Sequence, residues 1–250
     1  MSMEKKTIII AGRSVSYLVS PGLKNDQTIV FLPGWKSPVD LFCSVMGDMP
    51  NLLAVNFPGW PGSEAPDKAW GLAEYADFLK TFLEKINIRP AILIAHSVGA
   101  AIAIEYLSRG GQAKKLILVD GAVIREKSGK ANALFVGAKI FRFLFPFVGR
   151  KWRQRLGGKL LSVDYREAGE LEKTYKRLIT EDRQAFFRAL DLPIAMVWGQ
   201  DDQDTPLDQA RRLERLRPQT ALEIIPGAGH YCFLDKPREF KAILAKLLWI

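Results

Sequence analysis

The clearest indication of the fold is the stretch Ala91-Ile-Leu-Ile-Ala95-His96-Ser97-Val98-Gly99-Ala100. Five apolar residues without a break predict a strand buried on both faces, and apolar residues at helical spacing follow Ser97 at once. Small residues stand two positions to either side of the serine, Ala95 before it and Gly99 after it, which lets strand and helix pass closely. We therefore expect Ser97 at a strained strand-to-helix turn that presents its hydroxyl as a nucleophile. The alternative is a tight turn in which Ser97 only caps the helix.

Apolar runs of the same kind occur on both sides of this turn. They predict further buried strands at Thr28–Leu32, Leu52–Phe57, Lys115–Val119, Ile194–Trp198 and Leu222–Ile225. Apolar residues at helical spacing predict helices in Leu72–Ile86 and Phe240–Leu248, and two β-branched runs around Gly12-Arg13 predict a hairpin. The alternation of strands and helices predicts an α/β fold with a mostly parallel central sheet, an N-terminal hairpin and flanking helices.

The alternation stops for a long interval after the strand that ends at Val119. This interval contains no apolar run typical of a buried strand, but it has helical periods in Leu134–Phe145 and Ala168–Leu190. A length of 250 residues suits one α/β domain with an insertion. We therefore predict a core formed by residues 1–120 and 191–250, and an inserted helical cap formed by residues 121–190.

A serine hydroxyl reacts only when a base removes its proton, and the chain has two histidines. The first, His96, adjoins Ser97, and we expect its side chain on the other side of the turn. The second, His230, lies in a glycine-rich loop after the last predicted strand, at the same edge of the sheet as Ser97. His230 is therefore the candidate base, and an ordinary histidine of a surface loop is the alternative.

The imidazole of such a base needs a carboxylate that fixes its tautomer. The loop after the strand Ile194–Trp198 carries Asp201, Asp202 and Asp204 at this same edge. Asp120 ends its own predicted strand and is a fourth candidate, although we expect it to anchor the start of the insertion. These residues by themselves leave the choice open.

The order Ser…Asp…His, the turn at Ser97 and the loop Gly227-Ala-Gly-His230 resemble the α/β-hydrolase family. The resemblance extends over essentially the whole chain. It implies a Ser-His-Asp catalytic triad that acts through an acyl-enzyme. By the family's spacing, three residues after Gly199, the resemblance implies that the acid is Asp202.

Two loops carry further parts of the resemblance. Leu32-Pro33-Gly34-Trp35 resembles the loop that donates one amide of the oxyanion hole, and Phe57–Ser63 resembles the family's loop after the next strand. The implied oxyanion hole consists of the backbone N–H groups of Trp35 and Val98, and one such donor is typically worth roughly 3 to 4 kcal/mol.

Three residues depart from the family pattern. Ala95 stands where the family usually has glycine, and its small side chain fits the turn. Pro33 replaces a histidine that helps to order the oxyanion loop, which bears on the position of the Trp35 N–H. Pro61 stands where glycine is more usual, and no consequence follows from it.

The basic residues are concentrated in one segment. Residues 125–160 contain ten Lys or Arg against one Glu, which equals the net charge of +9 of the whole chain. Such a patch attracts anionic partners, and our hypothesis is an anionic carrier protein or a membrane surface. The alternative is that the charge keeps an apolar cap in solution.

A predicted helix Ala131–Phe145 is apolar over most of its circumference. Phe141 and Phe145 are therefore candidate substrate contacts, and an ordinary buried cap helix is the alternative.

These observations predict a serine hydrolase that cleaves esters or thioesters of a small-molecule substrate with an apolar acyl chain, without a metal or other cofactor. Gly34-Trp35 is also weakly similar to the carrier-protein methyl ester esterases. A second class of function is a ligand-binding or signalling protein on this fold with slow or no turnover.

Nucleic-acid binding is disfavoured because no stacking platform or known motif accompanies the basic residues. Serine at the turn disfavours dehalogenation, for which the family uses aspartate. The chain lacks an apolar run long enough for a membrane span and a signal-peptide pattern, which favours the cytoplasm.

Overall fold

The computed structural model describes residues 3–125 and 165–248, with the side chains of 165–170 excepted. The strands are β1 Glu4–Ile10, β2 Arg13–Val19, β3 Ile29–Leu32, β4 Leu52–Val55, β5 Ile92–His96, β6 Lys115–Val119, β7 Ile194–Gly199 and β8 Ala221–Ile225. The helices are α1 Val39–Met46, α2 Leu72–Lys85, α3 Val98–Ser108, α4 Tyr165–Thr180, α5 Gln184–Ala189, α6 Leu207–Leu216, α7 Cys232–Asp235 and α8 Pro237–Leu248, and a 3₁₀ turn spans Asn25–Gln27.

The eight strands form one sheet in the order β1-β2-β4-β3-β5-β6-β7-β8. β1 and β2 form an antiparallel hairpin, β2 pairs antiparallel with β4, and the remaining neighbours are parallel. Ala11 and Gly12 both have positive φ at the tip of the hairpin, the requirement of a tight turn that matches the twist of its strands. The predicted α/β fold with a mostly parallel sheet and an N-terminal hairpin is confirmed.

The central strands are apolar on both faces because helices cover both. In β5, Leu93 and Ala95 pack into one core with α2 and α3, whereas Ile94 packs into a second core with α1 and α8. The side chains of these three residues are fully buried. An uninterrupted apolar run is therefore what the position of β5 in the sheet requires.

The parallel strands bring their carboxyl ends to one edge of the sheet. Ala95 pairs with Leu32 of β3, and His96 pairs with Val119 of β6. Further along the same edge, at the last pair of strands, Gly199 of β7 pairs with Ile225 of β8. The loops after β3, β5, β6, β7 and β8 consequently meet at this edge, where parallel sheets bind ligands.

Between β6 and β7, the described residues form the helices α4 and α5 and no strand. The predicted single helical period of Ala168–Leu190 is divided, because the helix stops at Thr180 and a new one begins at Gln184. Asp182 accounts for the break, since its carboxylate accepts hydrogen bonds from the backbone N–H groups of Gln184, at 2.9 Å, and Arg125, at 2.8 Å. The division into a core and a cap stays a prediction, and the predicted helix Ala131–Phe145 lies outside the described residues.

Helices α1, α6 and α7 were not predicted from the spacing of apolar residues in the sequence. In α6, Ala210 and Leu213 are buried while the rest of the helix is polar or half-exposed, so its apolar stripe is narrow. α7 has four residues and is too short to show a period. Within residues 3–125 and 165–248, no helix has both the length and the apolar content that crossing a bilayer requires.

Candidate active site

Ser97 lies between β5 and α3 in a strained conformation, with φ 52° and ψ −122°. Its backbone N–H donates to the carbonyl of Val119 at 3.1 Å, which fixes the turn against β6. A side chain at Gly99 would bring its Cβ to 2.5 Å from the carbonyl oxygen of Leu32 and 2.8 Å from that of Pro33, so the close approach of α3 to the β3 loop requires glycine. The Ser97 hydroxyl makes no capping hydrogen bond to α3.

The Ser97 hydroxyl is hydrogen-bonded to His230 instead, and Oγ lies 2.9 Å from Nε2. On the other side of the imidazole, Nδ1 lies 2.8 Å from Oδ2 of Asp202. The carboxylate can only accept, so Nδ1 carries the proton and Nε2 is free to accept the proton of the serine hydroxyl. The structure thus brings together Ser97, His230 and Asp202; the family resemblance, and not the chain order, distinguished Asp202 from the other acids.

Asp202 is held in place by its own loop. Its Oδ1 accepts hydrogen bonds from the backbone N–H groups of Asp204 at 2.7 Å and Thr205 at 3.0 Å. Its Oδ2 lies 2.6 Å from the hydroxyl oxygen of Thr205, in addition to the bond from His230. Asp201 and Asp204 are exposed, whereas the side chain of Asp202 is buried.

Asp202 and His230 shift each other's pKa values in the direction that favours the charged forms. Burial raises the pKa of the Asp202 carboxyl, but the hydrogen bonds from His230 and Thr205 outweigh burial, so this pKa lies below its usual range. Burial lowers the pKa of His230, but the hydrogen bond and charge of Asp202, followed by the charges of Asp120 and Asp204, raise it above its usual value overall. These carboxylates therefore favour the protonated form of the His230 imidazole.

The side chain of Asp120 bonds to two loops of the sheet edge, and the expectation that Asp120 anchors the start of the insertion stays a prediction. Its buried carboxylate accepts hydrogen bonds from the backbone N–H of Gly199 at 2.8 Å and of Cys232 at 3.3 Å. It therefore joins the start of the acid loop to the residues that follow His230. Burial raises the pKa of the Asp120 carboxyl to about 7, against the lowering effect of the bond from Gly199.

The oxyanion loop is fixed by a tryptophan. The indole N–H of the buried Trp60 donates to the carbonyl of Gly34, and the backbone N–H of Ser37 donates to the same oxygen at 3.1 Å. A trans peptide directs its N–H opposite to its C=O, so this bond also orients the N–H of Trp35. Trp60 therefore holds the peptide between Gly34 and Trp35 in place.

The backbone around Gly34 is close to the nucleophile. A Cβ at Gly34 would lie 3.1 Å from the Cβ of Ser97. Among the described residues, none accepts a hydrogen bond from the backbone N–H of Trp35 or Val98. The assignment of these two N–H groups to an oxyanion hole stays a prediction.

Helix α4 covers the neighbourhood of the oxyanion loop. The ring of Tyr175 lies 5.2 Å from the ring of Trp35, and Thr174 accepts a hydrogen bond from the backbone N–H of Trp70 at 3.0 Å. The guanidinium of Arg177 donates to the carbonyl of Ala69 at 2.7 Å. An aromatic surface formed by Trp35 and Tyr175 therefore borders the site.

Several contributors to this site were missed by sequence reasoning. Thr205 contacts Asp202 within one loop and Trp60 contacts Gly34 from a different loop, and no apolar period signals either contact. Tyr175 is one of two tyrosines in α4, and its sequence context does not distinguish it. Phe141 and Phe145, the candidate substrate contacts, lie outside the described residues. Within residues 3–125 and 165–248, no three His, Cys, Asp or Glu side chains are grouped as a metal site would require.

Known proteins share both the sequence pattern and the fold. The model of the alpha/beta hydrolase family matches residues 29–243. The AB hydrolase superfamily protein YisY of Bacillus subtilis is 24% identical over 243 residues, which cover 88% of this chain and 91% of that protein. The sn-1-specific diacylglycerol lipase ABHD11 of Mus musculus is 22% identical over 192 residues, which cover 68% of this chain and 62% of that protein.

Solved structures of two esterases have the same fold. The esterase EaEST from Exiguobacterium antarcticum superposes with a TM-score of 0.75 at 22% identity, over 94% of this chain and 96% of that one. The esterase RhEst1 from Rhodococcus sp. ECU1013 superposes with a TM-score of 0.72 at 19% identity, over 99% and 98% of the two chains. The family match spans most of the chain, including the turn at Ser97 and the loops of Asp202 and His230: the chain belongs to the alpha/beta hydrolase family and is a hydrolase.

Proposed function

We propose that the protein hydrolyses carboxylic esters or thioesters with Ser97 as nucleophile, His230 as general base and acid, and Asp202 as the orienting carboxylate. The observation that carries the proposal is the unbroken chain of hydrogen bonds, 2.9 Å from Ser97 to His230 and 2.8 Å from His230 to Asp202. A nucleophile, a base and an orienting acid in hydrogen-bond contact are the requirement of acyl transfer through a serine.

The first half of the reaction forms an acyl-enzyme. As Oγ of Ser97 attacks the carbonyl carbon, its proton passes to Nε2 of His230, and Asp202 stabilises the resulting imidazolium. The negative oxygen of the tetrahedral intermediate faces the N–H groups of Trp35 and Val98. Collapse of the intermediate breaks the bond to the alcohol or thiol, which leaves with the proton from His230.

Water completes the reaction. His230 takes a proton from the water as its oxygen attacks the acyl carbon, and the same oxyanion donors stabilise the second intermediate. When this intermediate collapses, Oγ of Ser97 recovers the proton from His230 and the carboxylic acid is released. The reaction uses only groups of the protein and one water.

Two observations support an apolar acyl chain and an ester as the substrate class. Trp35, next to the oxyanion loop, and Tyr175 form an aromatic border to the site, which suits an apolar group. The relatives named esterase or lipase act on esters, and the esterases share the fold over nearly the whole chain.

A fluorophosphonate probe tests the nucleophile. We expect one phosphonyl group on Ser97, and loss of both the label and esterase activity in Ser97→Ala. The control is Ser44→Ala, an exposed serine of α1, which should keep both. Labelling of another residue, or turnover by Ser97→Ala at the wild-type rate, would refute the proposal.

Substrate choice is tested with nitrophenyl esters and acyl-thioesters of increasing chain length. A rise of kcat/KM with chain length supports the apolar acyl group. If every substrate is bound but none turns over, the protein is instead a ligand-binding or signalling protein on this fold.

We also propose that residues 125–160 recruit an anionic carrier protein or a membrane surface. The support is the sequence, in which this segment carries ten basic residues and one acidic residue. All but Arg125 of these charges lie outside the described residues.

A further inference from the structure

His96, the histidine next to Ser97, is fully buried beside the candidate active site. Its Nε2 lies 2.8 Å from the backbone carbonyl oxygen of His230. A carbonyl can only accept a hydrogen bond, so Nε2 carries the proton and donates it to the main chain of the candidate base. The imidazole of His230, whose centroid lies 4.9 Å from that of His96, reaches Ser97 and Asp202.

The rest of the His96 ring is fixed by packing. The rings of Tyr231 and Phe233 lie 4.9 Å and 5.3 Å from it. Gly34 packs closely against the ring, because a side chain at this position would bring its Cβ to 2.9 Å from Nδ1 of His96. Because His96 itself precedes Ser97, this one side chain touches the loops of the nucleophile, of the oxyanion hole and of the base.

The low pKa of the His96 imidazole keeps it neutral near pH 7. Burial lowers its pKa to about 3, and the positive charge of His230 acts in the same direction. No described residue donates a hydrogen bond to Nδ1. An aromatic side chain without nitrogen would pack similarly, so the specific contribution of histidine is the single N–H on Nε2.

The loop of His230 needs such a bond. Its neighbours are held by carboxylates: Gly229 N–H donates to Asp235 at 2.8 Å, and Cys232 N–H donates to Asp120 at 3.3 Å. Between these two points, the bond from His96 fixes the main chain of His230 itself. A displacement of about 1 Å of a reacting group can reduce the rate by about 100-fold.

We propose that His96 is a positioning residue for the hydrolytic reaction, in which its Nε2–H holds the main chain of His230 so that the imidazole reaches both Ser97 and Asp202. This inference rests on the proposed function. It concerns the rate of the chemical steps and not the binding of substrate, because His96 lies beside His230 and is closed off from solvent.

The test compares His96→Gln with His96→Asn. Both substituents are neutral amides, but the amide nitrogen of glutamine can occupy the place of Nε2, whereas that of asparagine corresponds to Nδ1 and falls short of the His230 carbonyl. With a nitrophenyl ester, we expect His96→Asn to lower kcat about 10-fold or more with little change in KM, and His96→Gln to recover most of kcat. The rate at which a fluorophosphonate labels Ser97 should fall in the same proportion.

Thermal unfolding and circular dichroism of both variants accompany the kinetics. Equal kcat values in the two variants, whether close to that of the wild type or equally reduced, would overturn the inference, because the donor would then be irrelevant. Failure of both to fold would overturn it too, since His96 would then be a core residue and nothing more. Turnover by Ser97→Ala would instead overturn the proposed function, so the two failures are distinguishable.

Discussion

The hydroxyl oxygen of Thr205 lies 2.6 Å from Oδ2 of Asp202, the oxygen that also accepts the hydrogen bond of His230. The other oxygen of Asp202 accepts two backbone N–H groups. This buried carboxylate therefore has donors on both oxygens, which keeps it ionised and its orientation fixed. Asp120, the other buried carboxylate of the site, has one backbone donor on each oxygen and no contact with the imidazole.

This difference predicts which acid the reaction depends on. Replacement of the acid that fixes the histidine tautomer reduces kcat about 10⁴-fold in serine proteases, so we expect Asp202→Asn to lose activity by orders of magnitude. Asp120→Asn, Asp201→Asn and Asp204→Asn should be far milder. Steady-state kinetics of the four variants on one ester decide the assignment, which fails if Asp120→Asn is crippling and Asp202→Asn mild.

We expect Asp120 to affect the pH dependence of kcat/KM and not the maximal rate. The groups that set the charge around His230 are Asp202, Asp120 and Asp204, and all three raise its pKa. The base must be neutral, so kcat/KM falls when the pH drops below this raised pKa. Asp120, whose pKa is about 7, is only partly ionised where His230 titrates, so Asp120→Asn removes part of a negative charge. The pKa of His230 should therefore fall slightly, and the acidic limb of kcat/KM should move slightly to lower pH. The exposed Asp208→Asn is the control and should leave the limb where it is.

The sequence predicted which loops meet at the candidate site, whereas the choice of Asp202 among the four aspartates came from the family resemblance. Ser97, Asp202 and His230 each follow a strand recognisable from its apolar run, and parallel strands bring those ends together whatever the detail of the loops. The contacts of Trp60 with Gly34 and of Asp120 with Gly199 and Cys232 have no such signal. They join segments far apart in the chain, and their geometry depends on the loop conformations that the fold imposes.

Trp60 provides a test of the oxyanion loop. Trp60→Phe keeps an aromatic ring in the core but removes the N–H that holds the Gly34 carbonyl, so the N–H of Trp35 loses its orientation. We expect kcat to fall about 10-fold, less than the 10²- to 10³-fold loss when an oxyanion donor itself is removed, with little change in KM. Phe57→Leu, in the same aromatic cluster, is the matched control. It should lower the melting temperature while keeping kcat, and equal kcat values for the two variants would refute this role of Trp60.

Gly99 should matter for stability as well as activity. Gly99→Ala would force its Cβ against the carbonyl oxygens of Leu32 and Pro33, which are backbone atoms and cannot rotate away. Overpacking of this kind costs about 1 to 3 kcal/mol, and for a chain of this size we expect the melting temperature to fall by about 5 °C. Gly229→Ala is the control, because its Cβ would meet only Asp235, at the ordinary distance of 3.4 Å. Similar melting temperatures for the two variants would contradict the predicted close packing at the turn.

The basic segment provides the last prediction. Its ten basic residues and one acidic residue give a charge of +9, which equals the net charge of the protein, a concentration that random scatter does not produce. If this charge recruits an anionic carrier or a membrane surface, reversal of Arg150, Lys151, Arg153 and Arg155 to glutamate should raise KM for a carrier-borne or liposome-borne ester. The wild-type KM for that substrate should also rise with salt, because exposed charges are screened beyond about 8 Å at physiological ionic strength. Small neutral esters should be hydrolysed as before, since Ser97, His230 and Asp202 all belong to loops at the edge of the sheet. Equal effects on neutral and anionic substrates, or none on either, would mean that the charge serves only to keep the apolar segment in solution.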